Sequence, residues 1–206
     1  MSIRAICWDW NGTLFDDVEI CRQVMNRVLV EHGCEPFADL AAYRATFRFP
    51  IREFYADAGI GDDRFRDAAE QYLAWLEGRT GEAALHAGVD ETLAAVTARG
   101  MTQVLASATL PDLLACQLQP HGLAARFDQI LSIADAFHPS KHDVIAGWLR
   151  DSAFAPDEVL MIGDTNHDRE IAADLGTRFV HFDGGHQAAT VGSRSIRSLS
   201  QVLDLL

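Results

Sequence analysis

The stretch IRAICWDWNGTLFDD, residues 3–17, joins a short apolar run to an aspartate, a turn and a group of acids. Residues 3–8 have the length and composition of a buried strand, and Asp9 stands directly at the end of that strand. The pair Asn11-Gly12 is a turn signal, and a helical pattern follows it. The stretch therefore predicts a strand whose carboxyl end carries Asp9 into a polar loop.

The same alternation continues along the chain and indicates a parallel sheet. Four further apolar runs, at residues 103–107, 129–132, 159–162 and 179–182, are separated by amphipathic stretches of helical length. Strands that alternate with helices form βαβ units. We expect an α/β fold, a doubly wound parallel sheet with helices on both of its faces.

A long insertion follows the first strand. About a hundred residues separate Asp9 from Ser107, whereas a simple crossover needs only about a dozen. Residues 16–82 carry helical patterns, with no run typical of a strand. We therefore expect a helical cap domain at residues 16–82 and an α/β core at residues 1–15 and 83–206.

Composition limits the kinds of partner. The chain has 206 residues, 49% of them hydrophobic, and a net charge of −13. No apolar stretch approaches the roughly 20 residues that cross a bilayer, and the negative charge disfavours nucleic acid. The first residues lack the features of a secretory signal, so we expect a cytoplasmic protein. The oligomeric state is not predicted.

Polar side chains stand at the predicted carboxyl ends of several strands, where ligands of open parallel sheets bind. Asp9 and Thr13 follow the first strand, Ser107 ends the second, and Lys141 lies near the start of a helix. The segment GDTNHD, residues 163–168, adds Asp164 and Asp168. Lys141 is the sole lysine of the chain, which makes its position in this series informative.

These four motifs, in this order, resemble those of the haloacid dehalogenase-like hydrolases: DxDxT, a strand-end Ser or Thr, a Lys and GDxxxD. The resemblance covers nearly the whole chain, and the insertion resembles the small helical cap of the phosphoglycolate phosphatase-like branch. It implies a phosphatase in which Asp9 forms an aspartyl-phosphate that water then hydrolyses. Catalytic residues would be Asp9, Asn11 and Lys141.

The resemblance also implies a Mg²⁺ site. Hard divalent cations prefer oxygen ligands, which Asp9, Asp164 and the backbone carbonyl of Asn11 would supply. Asp168 is a further candidate, either toward a metal-bound water or as an anchor for Lys141. Mg²⁺ and Lys141 together would offset the negative charge of these carboxylates and of a phosphoryl group.

Asn11 departs from the family pattern, which has a second aspartate at this position. That aspartate protonates the leaving oxygen and later activates water, and a carboxamide cannot transfer a proton. The expected handicap is about 10²–10⁴-fold. The alternatives are a slow phosphatase, a substrate whose leaving group needs no proton, or a relic that binds phosphate or a partner with little turnover. Deamidation of Asn11 before Gly12 would be another source of the acid.

Two other activities within the family fit less well. Phosphonate-cleaving relatives use a cap lysine, and residues 16–82 contain none. Relatives that remove halide depart from the acidic fourth motif, whereas GDTNHD keeps both acids. A haloacid dehalogenase is therefore the less favoured reading.

Substrate contacts are expected from both parts of the chain. In the core we expect Thr13, Ser107 and Ala108, although Ala108 stands where the family commonly has Asn. In the cap, Arg48 and Arg52 are candidates to pair with a carboxylate or second phosphate of the substrate. Trp10, just past the strand end, is a candidate wall of the pocket.

Overall fold

The computed structural model describes residues 2–133 and 140–206 of the chain. Its strands are β1 (Ala5–Asp9), β2 (Phe15–Asp16), β3 (Ala84–Leu85), β4 (Thr102–Ser107), β5 (Gln129–Ser132), β6 (Val159–Gly163), β7 (Arg178–Phe182) and β8 (Ser195–Ile196). Its α-helices are α1 (Val18–Glu31), α2 (Leu40–Thr46), α3 (Ile51–Asp57), α4 (Phe65–Glu77), α5 (Val89–Ala98), α6 (Pro111–Leu118), α7 (Lys141–Asp151) and α8 (Asn166–Leu175). Short 3₁₀ segments span Thr80–Glu82, Gln119–His121, Ala124–Arg126, Pro156–Glu158 and Leu199–Leu205.

Six strands form one sheet in the order β5-β4-β1-β6-β7-β8, and each neighbouring pair runs parallel. The chain builds outward from β1 to β4 and β5, and then returns to place β6 on the other side of β1. This reversal lies between β1 and β6, the usual location of a ligand site in such sheets. The predicted doubly wound α/β fold is confirmed.

Apolar cores cover both faces of the sheet. Alternate β1 residues Ile6 and Trp8 face one cluster, which contains residues of α5, α6 and the Leu199–Leu205 segment. Ala5 and Cys7 face the other cluster, which contains residues of α7 and α8. The alternation of side chains along one strand thus divides the two cores.

Trp10 belongs to the first of these cores. It is fully buried, its ring stacks on Phe15 with centroids 5.1 Å apart, and its Nε1 donates to Gln117 Oε1 at 2.9 Å. The expectation that Trp10 walls the pocket is wrong. The chain turns back after Asp9, because the amides of Leu14 and Phe15 donate to the Trp10 carbonyl. That turn keeps the indole on the core side.

The helical insertion has an apolar core of its own. Helix α1 buries Met25, Val28 and Leu29 against aromatic residues of α2 to α4. At its base, β2 and β3 form a two-stranded antiparallel ladder that joins the segment to the sheet domain. The predicted insertion is therefore helical apart from this ladder, and the exact domain limits at 15/16 and 82/83 remain a prediction.

Across the described ranges, no helix combines the length and the apolar character needed to span a membrane.

Candidate active site

The loop after β1 turns sharply at Gly12. This residue has φ +75°, in the left-handed region that favours glycine, and a Cβ there would collide with the side chains of Asp164 and His186. Its carbonyl lies 3.1 Å from His86 Nε2. The loop is therefore packed closely against the end of β6 and the segment after β7.

Lys141 lies between two carboxylates. Its Nζ is 2.5 Å from Asp9 Oδ1 and 2.6 Å from Asp168 Oδ1, and the lysine side chain is only 5% exposed. Burial alone would lower the pKa of Lys141, but the charges of Asp168 and Asp9 raise it above its ordinary value. The lysine is therefore a fixed positive charge. Ser140 positions it by capping the N-terminus of α7.

Asp9 presents one carboxylate oxygen without a partner. Oδ1 accepts from Lys141, whereas Oδ2 is buried and has no hydrogen bond among the described residues. Burial raises the pKa of Asp9 to about 6, against the pull of Lys141. A buried, unpaired carboxylate oxygen is costly, so this atom is a candidate for bonding to a ligand.

Asp164 completes an acidic group at the same edge of the sheet. Its Oδ2 accepts from the backbone amide of His186 at 2.5 Å, and its Oδ1 lies 3.4 Å from Thr13 Oγ1. Burial raises the pKa of Asp164 to about 8. Oxygen atoms of Asp9, Asp164 and Asp168 lie within 4.8 Å of one another. This set of carboxylate oxygen donors fits a hard divalent cation such as Mg²⁺.

Asp168 has other partners for both of its oxygens. Oδ1 accepts from Lys141, and Oδ2 accepts from the Thr165 hydroxyl at 2.6 Å and from its amide at 3.2 Å. Burial alone would raise the pKa of Asp168, but the ion pair with Lys141 holds this pKa below its ordinary value. These contacts favour the alternative in which Asp168 anchors Lys141, and its role as a metal ligand stays a prediction.

Asn11 is bonded at both ends of its carboxamide. Nδ2 donates to Asp17 Oδ2 at 2.8 Å, and Oδ1 accepts from the Thr109 hydroxyl at 2.8 Å. Thr109 lies in the loop after β4, so the amide links two loops at the sheet edge. Neither Asp17 nor Thr109 was among the residues predicted for the site.

His186 is the other residue that the sequence reading missed. Its Nε2 lies 3.2 Å from Asp17 Oδ1 and its Nδ1 lies 3.0 Å from the Tyr43 hydroxyl. Burial alone would lower the pKa of His186, but the hydrogen bond and charge of Asp17 raise it to about 9. Burial alone would raise the pKa of Asp17, but the charge and hydrogen bond of His186 lower it. The two form a buried ion pair beside the acidic group.

The predicted phosphate contacts of the core lie at the same edge. Thr13 is buried beside Asp164, and Ser107 is buried with its Oγ accepting from the Thr109 amide at 3.1 Å. Ala108 follows it and is exposed. Their contact with a substrate stays a prediction.

The predicted cap arginines are paired within the insertion. Arg48 bonds to Glu53 and to Asp57, and Arg52 bonds to Asp62, with both guanidinium groups about half exposed. Their role in substrate binding stays a prediction.

A different arginine of the insertion reaches the core. Arg44 Nη2 donates to the carbonyl of Asp183 at 3.1 Å and to its carboxylate at 3.0 Å, while its Nε is buried and finds no partner in the part of the chain that the structure describes. Phe49 and Asn166 form a second bridge, a reciprocal pair of hydrogen bonds at 3.1 Å. The insertion is therefore docked over the acidic group.

Known proteins resemble this chain in sequence and in structure. Two phosphoglycolate phosphatases from Vibrio vulnificus strains are each 29% identical to this chain, covering all of it and 96% of their own length. A haloacid dehalogenase-like family hydrolase from Streptococcus pneumoniae has a TM-score of 0.82 at 20% identity, with 98% of each chain covered.

A protein tyrosine kinase A from Mycobacterium tuberculosis also has a TM-score of 0.82, at 21% identity, covering 99% of this chain and 98% of its own. At such identities the structural likeness establishes the fold alone. The family model described as haloacid dehalogenase-like hydrolase matches residues 6–182. The chain belongs to the haloacid dehalogenase-like hydrolases.

Proposed function

We propose that this protein is a Mg²⁺-dependent phosphatase that hydrolyses a small phosphorylated metabolite through a covalent phosphoryl group on Asp9. The observation that carries the proposal is the state of the Asp9 carboxylate: one oxygen is held by Lys141, and the other is buried with no hydrogen-bond partner in residues 2–133 and 140–206. The sequence similarity to phosphoglycolate phosphatases supports the same class of substrate.

Asp9 is suited to attack phosphorus. Its Oδ2 would form a bond to phosphorus while the bond from phosphorus to the leaving oxygen breaks, and water would then attack the acyl phosphate to release inorganic phosphate. Lys141 holds the other oxygen and so orients the carboxylate. Asp168 in turn fixes Lys141. A Mg²⁺ ion held by Asp9, Asp164 and the Asn11 carbonyl would supply electrostatic stabilisation of the transferred group.

Position 11 carries no carboxylic acid that could donate a proton to the leaving oxygen. The Asn11 amide can donate a hydrogen bond but retains its proton, so the leaving oxygen would be protonated by solvent. We therefore expect slow turnover of ordinary alkyl phosphates, by about 10²–10⁴-fold relative to an enzyme with the acid. Esters with a better leaving group should suffer less.

The same amide supports a second candidate function, binding of phosphate without turnover. In that case the site would hold Mg²⁺ and inorganic phosphate, and would act as a sensor or a partner-binding module. Phosphate release separates the two functions.

The test uses phosphoglycolate, a panel of other small phosphate monoesters and an aryl phosphate, assayed with and without Mg²⁺. We expect release of phosphate by the wild type in Mg²⁺ and loss by at least about 10³-fold in Asp9→Asn. Asp204→Asn, which neutralises an exposed acid in the C-terminal segment, is the matched control and should retain activity. Binding of Mg²⁺ and phosphate by calorimetry, with no turnover of any ester, would instead support the binding function.

A further inference from the structure

The orientation of the Asn11 amide is fixed by its two partners. The NH₂ end donates to Asp17 at 2.8 Å, and the oxygen end accepts from Thr109 at 2.8 Å. Rotation of the amide by half a turn would bring its oxygen against the carboxylate of Asp17. A donor is therefore required at the end of the side chain that faces Asp17.

The surroundings of Asp17 show why that carboxylate holds a negative charge. Oδ1 lies 2.9 Å from the Gly12 amide and 3.2 Å from His186 Nε2, and Oδ2 receives the Asn11 amide and the Cys21 thiol at 3.8 Å. Each of these partners can act as a donor. Asp17 is 5% exposed, so water contributes little to its solvation. The carboxylate depends on this shell of donors.

An aspartate at position 11 would reverse one of these contacts. With unchanged geometry, its oxygen would occupy the place of Asn11 Nδ2, at a hydrogen-bond distance from Asp17 Oδ2. Two carboxylates in these positions have no donor between them and repel each other, so the side chain at position 11 would turn away from the place that the Asn11 amide occupies. An acid that has turned away is not held in place by Asp17.

We infer that Asn11 and Asp17 form one unit, in which Asp17 is a positioning residue that requires an amide at position 11. In this unit the acid that the family carries at position 11 is compatible with the site only when position 17 is neutral. The inference deepens the proposed phosphatase function, on which its activity readout rests. Its stability readout is independent of turnover.

The experiment compares the wild type with Asn11→Asp, Asp17→Asn and the double variant Asn11→Asp/Asp17→Asn. An amide at position 17 can donate to the new aspartate while its oxygen still accepts from Gly12 and His186. The matched control is Asn11→Asp/Asp16→Asn, because Asp16 is the adjacent acid but its side chain is 52% exposed. Asp17→Ser is a second neutral variant in case the amide at position 17 prevents folding.

Two quantities are measured for each protein: the urea midpoint of unfolding in EDTA, and the pH profile of phosphate release in Mg²⁺. We expect Asn11→Asp alone to unfold at lower urea than the wild type and to be no more active. The double variant should recover part of the lost midpoint and exceed Asn11→Asp in kcat by about 10²-fold, with KM little changed. Its pH profile should gain an ionisation that the wild type lacks.

Either of two results overturns the inference. One is an Asn11→Asp protein that is as stable as the wild type and at least about 10-fold more active, within the range of acid–base catalysis. The other is rescue of stability by Asp16→Asn as effective as rescue by Asp17→Asn. If none of the proteins hydrolyses any ester, the proposed function fails, and the urea midpoints still decide whether positions 11 and 17 are coupled.

Discussion

Asp164→Asn is expected to make the metal-free protein more stable while abolishing its response to Mg²⁺. Burial raises the pKa of Asp164 from 3.8 to about 8, so the folded protein disfavours the ionised carboxylate. This destabilisation is absent below pH 3.8, grows as the pH rises toward 8 and is constant above it. The amide of the variant removes the charge and can still accept from the His186 backbone.

The magnitude follows from that shift. About four pH units at about 1.4 kcal/mol each give an upper value of about 6 kcal/mol. Relaxation around a buried ion reduces such penalties to several kcal/mol, so we expect a gain of about 3 kcal/mol at pH 8. Mg²⁺ at 100 times its Kd should raise the free energy of unfolding of the wild type by about 2.7 kcal/mol. It should leave that of the variant almost unchanged.

The assay is urea unfolding at pH 8 and pH 4, in EDTA and in Mg²⁺. Asp183→Asn is a control of opposite sign, since Arg44 pairs with Asp183 and neutralisation there should destabilise the protein. Near pH 4 the advantage of Asp164→Asn should vanish. If Asp164→Asn is less stable than the wild type at pH 8 in EDTA, burial does not destabilise this carboxylate; if the variant gains as much stability from Mg²⁺ as the wild type, Asp164 does not bind the metal.

Three other predictions concern neighbouring groups. Lys141→Met should lower the free energy of unfolding by about 3 kcal/mol, because it leaves buried carboxylates unpaired. It should also reduce kcat by about 10²–10³-fold. A variant as stable in urea as the wild type would contradict this prediction. The His186 pKa is raised from 6.5 to about 9, so its ion pair with Asp17 stabilises the protein fully below pH 6.5 and is lost as the pH rises through 9. His186→Gln should therefore lower the free energy of unfolding by about 3 kcal/mol at pH 6 and by little at pH 10. A loss of stability that does not depend on pH would contradict this prediction. Asn11 should keep its amide in the native state, because the Gly12 nitrogen that would attack the amide donates to the Phe15 carbonyl and to Asp17, each at 2.9 Å. Peptide mapping should find faster deamidation in urea than in the native protein. Equal rates would show that the fold does not protect Asn11.

The main sheet was predictable because its long strands are apolar runs bounded by turn residues. Strand β8 and the β2/β3 ladder have two residues in each strand, too few for any period to show. They form because neighbouring segments offer backbone groups to pair with. No local pattern records such pairing.

The site was predictable in part for the same reason: Asp9 and Asp164 lie at the carboxyl ends of adjacent strands, and Lys141 begins a helix beside them. Asp17 was read only as one of a group of acids. His186 follows β7 by four residues in a glycine-containing loop, and its partnership with Asp17 depends on how the insertion docks. A search for polar groups after β7, at the same sheet edge, would have found it.

The cap arginines illustrate a limit of another kind. Helical spacing suggested Arg48 and Arg52 as substrate contacts, but spacing does not reveal which acids lie nearby in three dimensions. Both arginines have acidic partners within the insertion, and Arg44 reaches the core instead.

Whether Asp9 and Asp164 share one divalent cation beside Lys141 can be seen in the anomalous signal of Mn²⁺ in a crystal of the protein. We expect one strong peak at about 2.1 Å from carboxylate oxygens of both Asp9 and Asp164. A peak bound elsewhere on the chain, with these two carboxylates left without metal at saturating Mn²⁺, would contradict it.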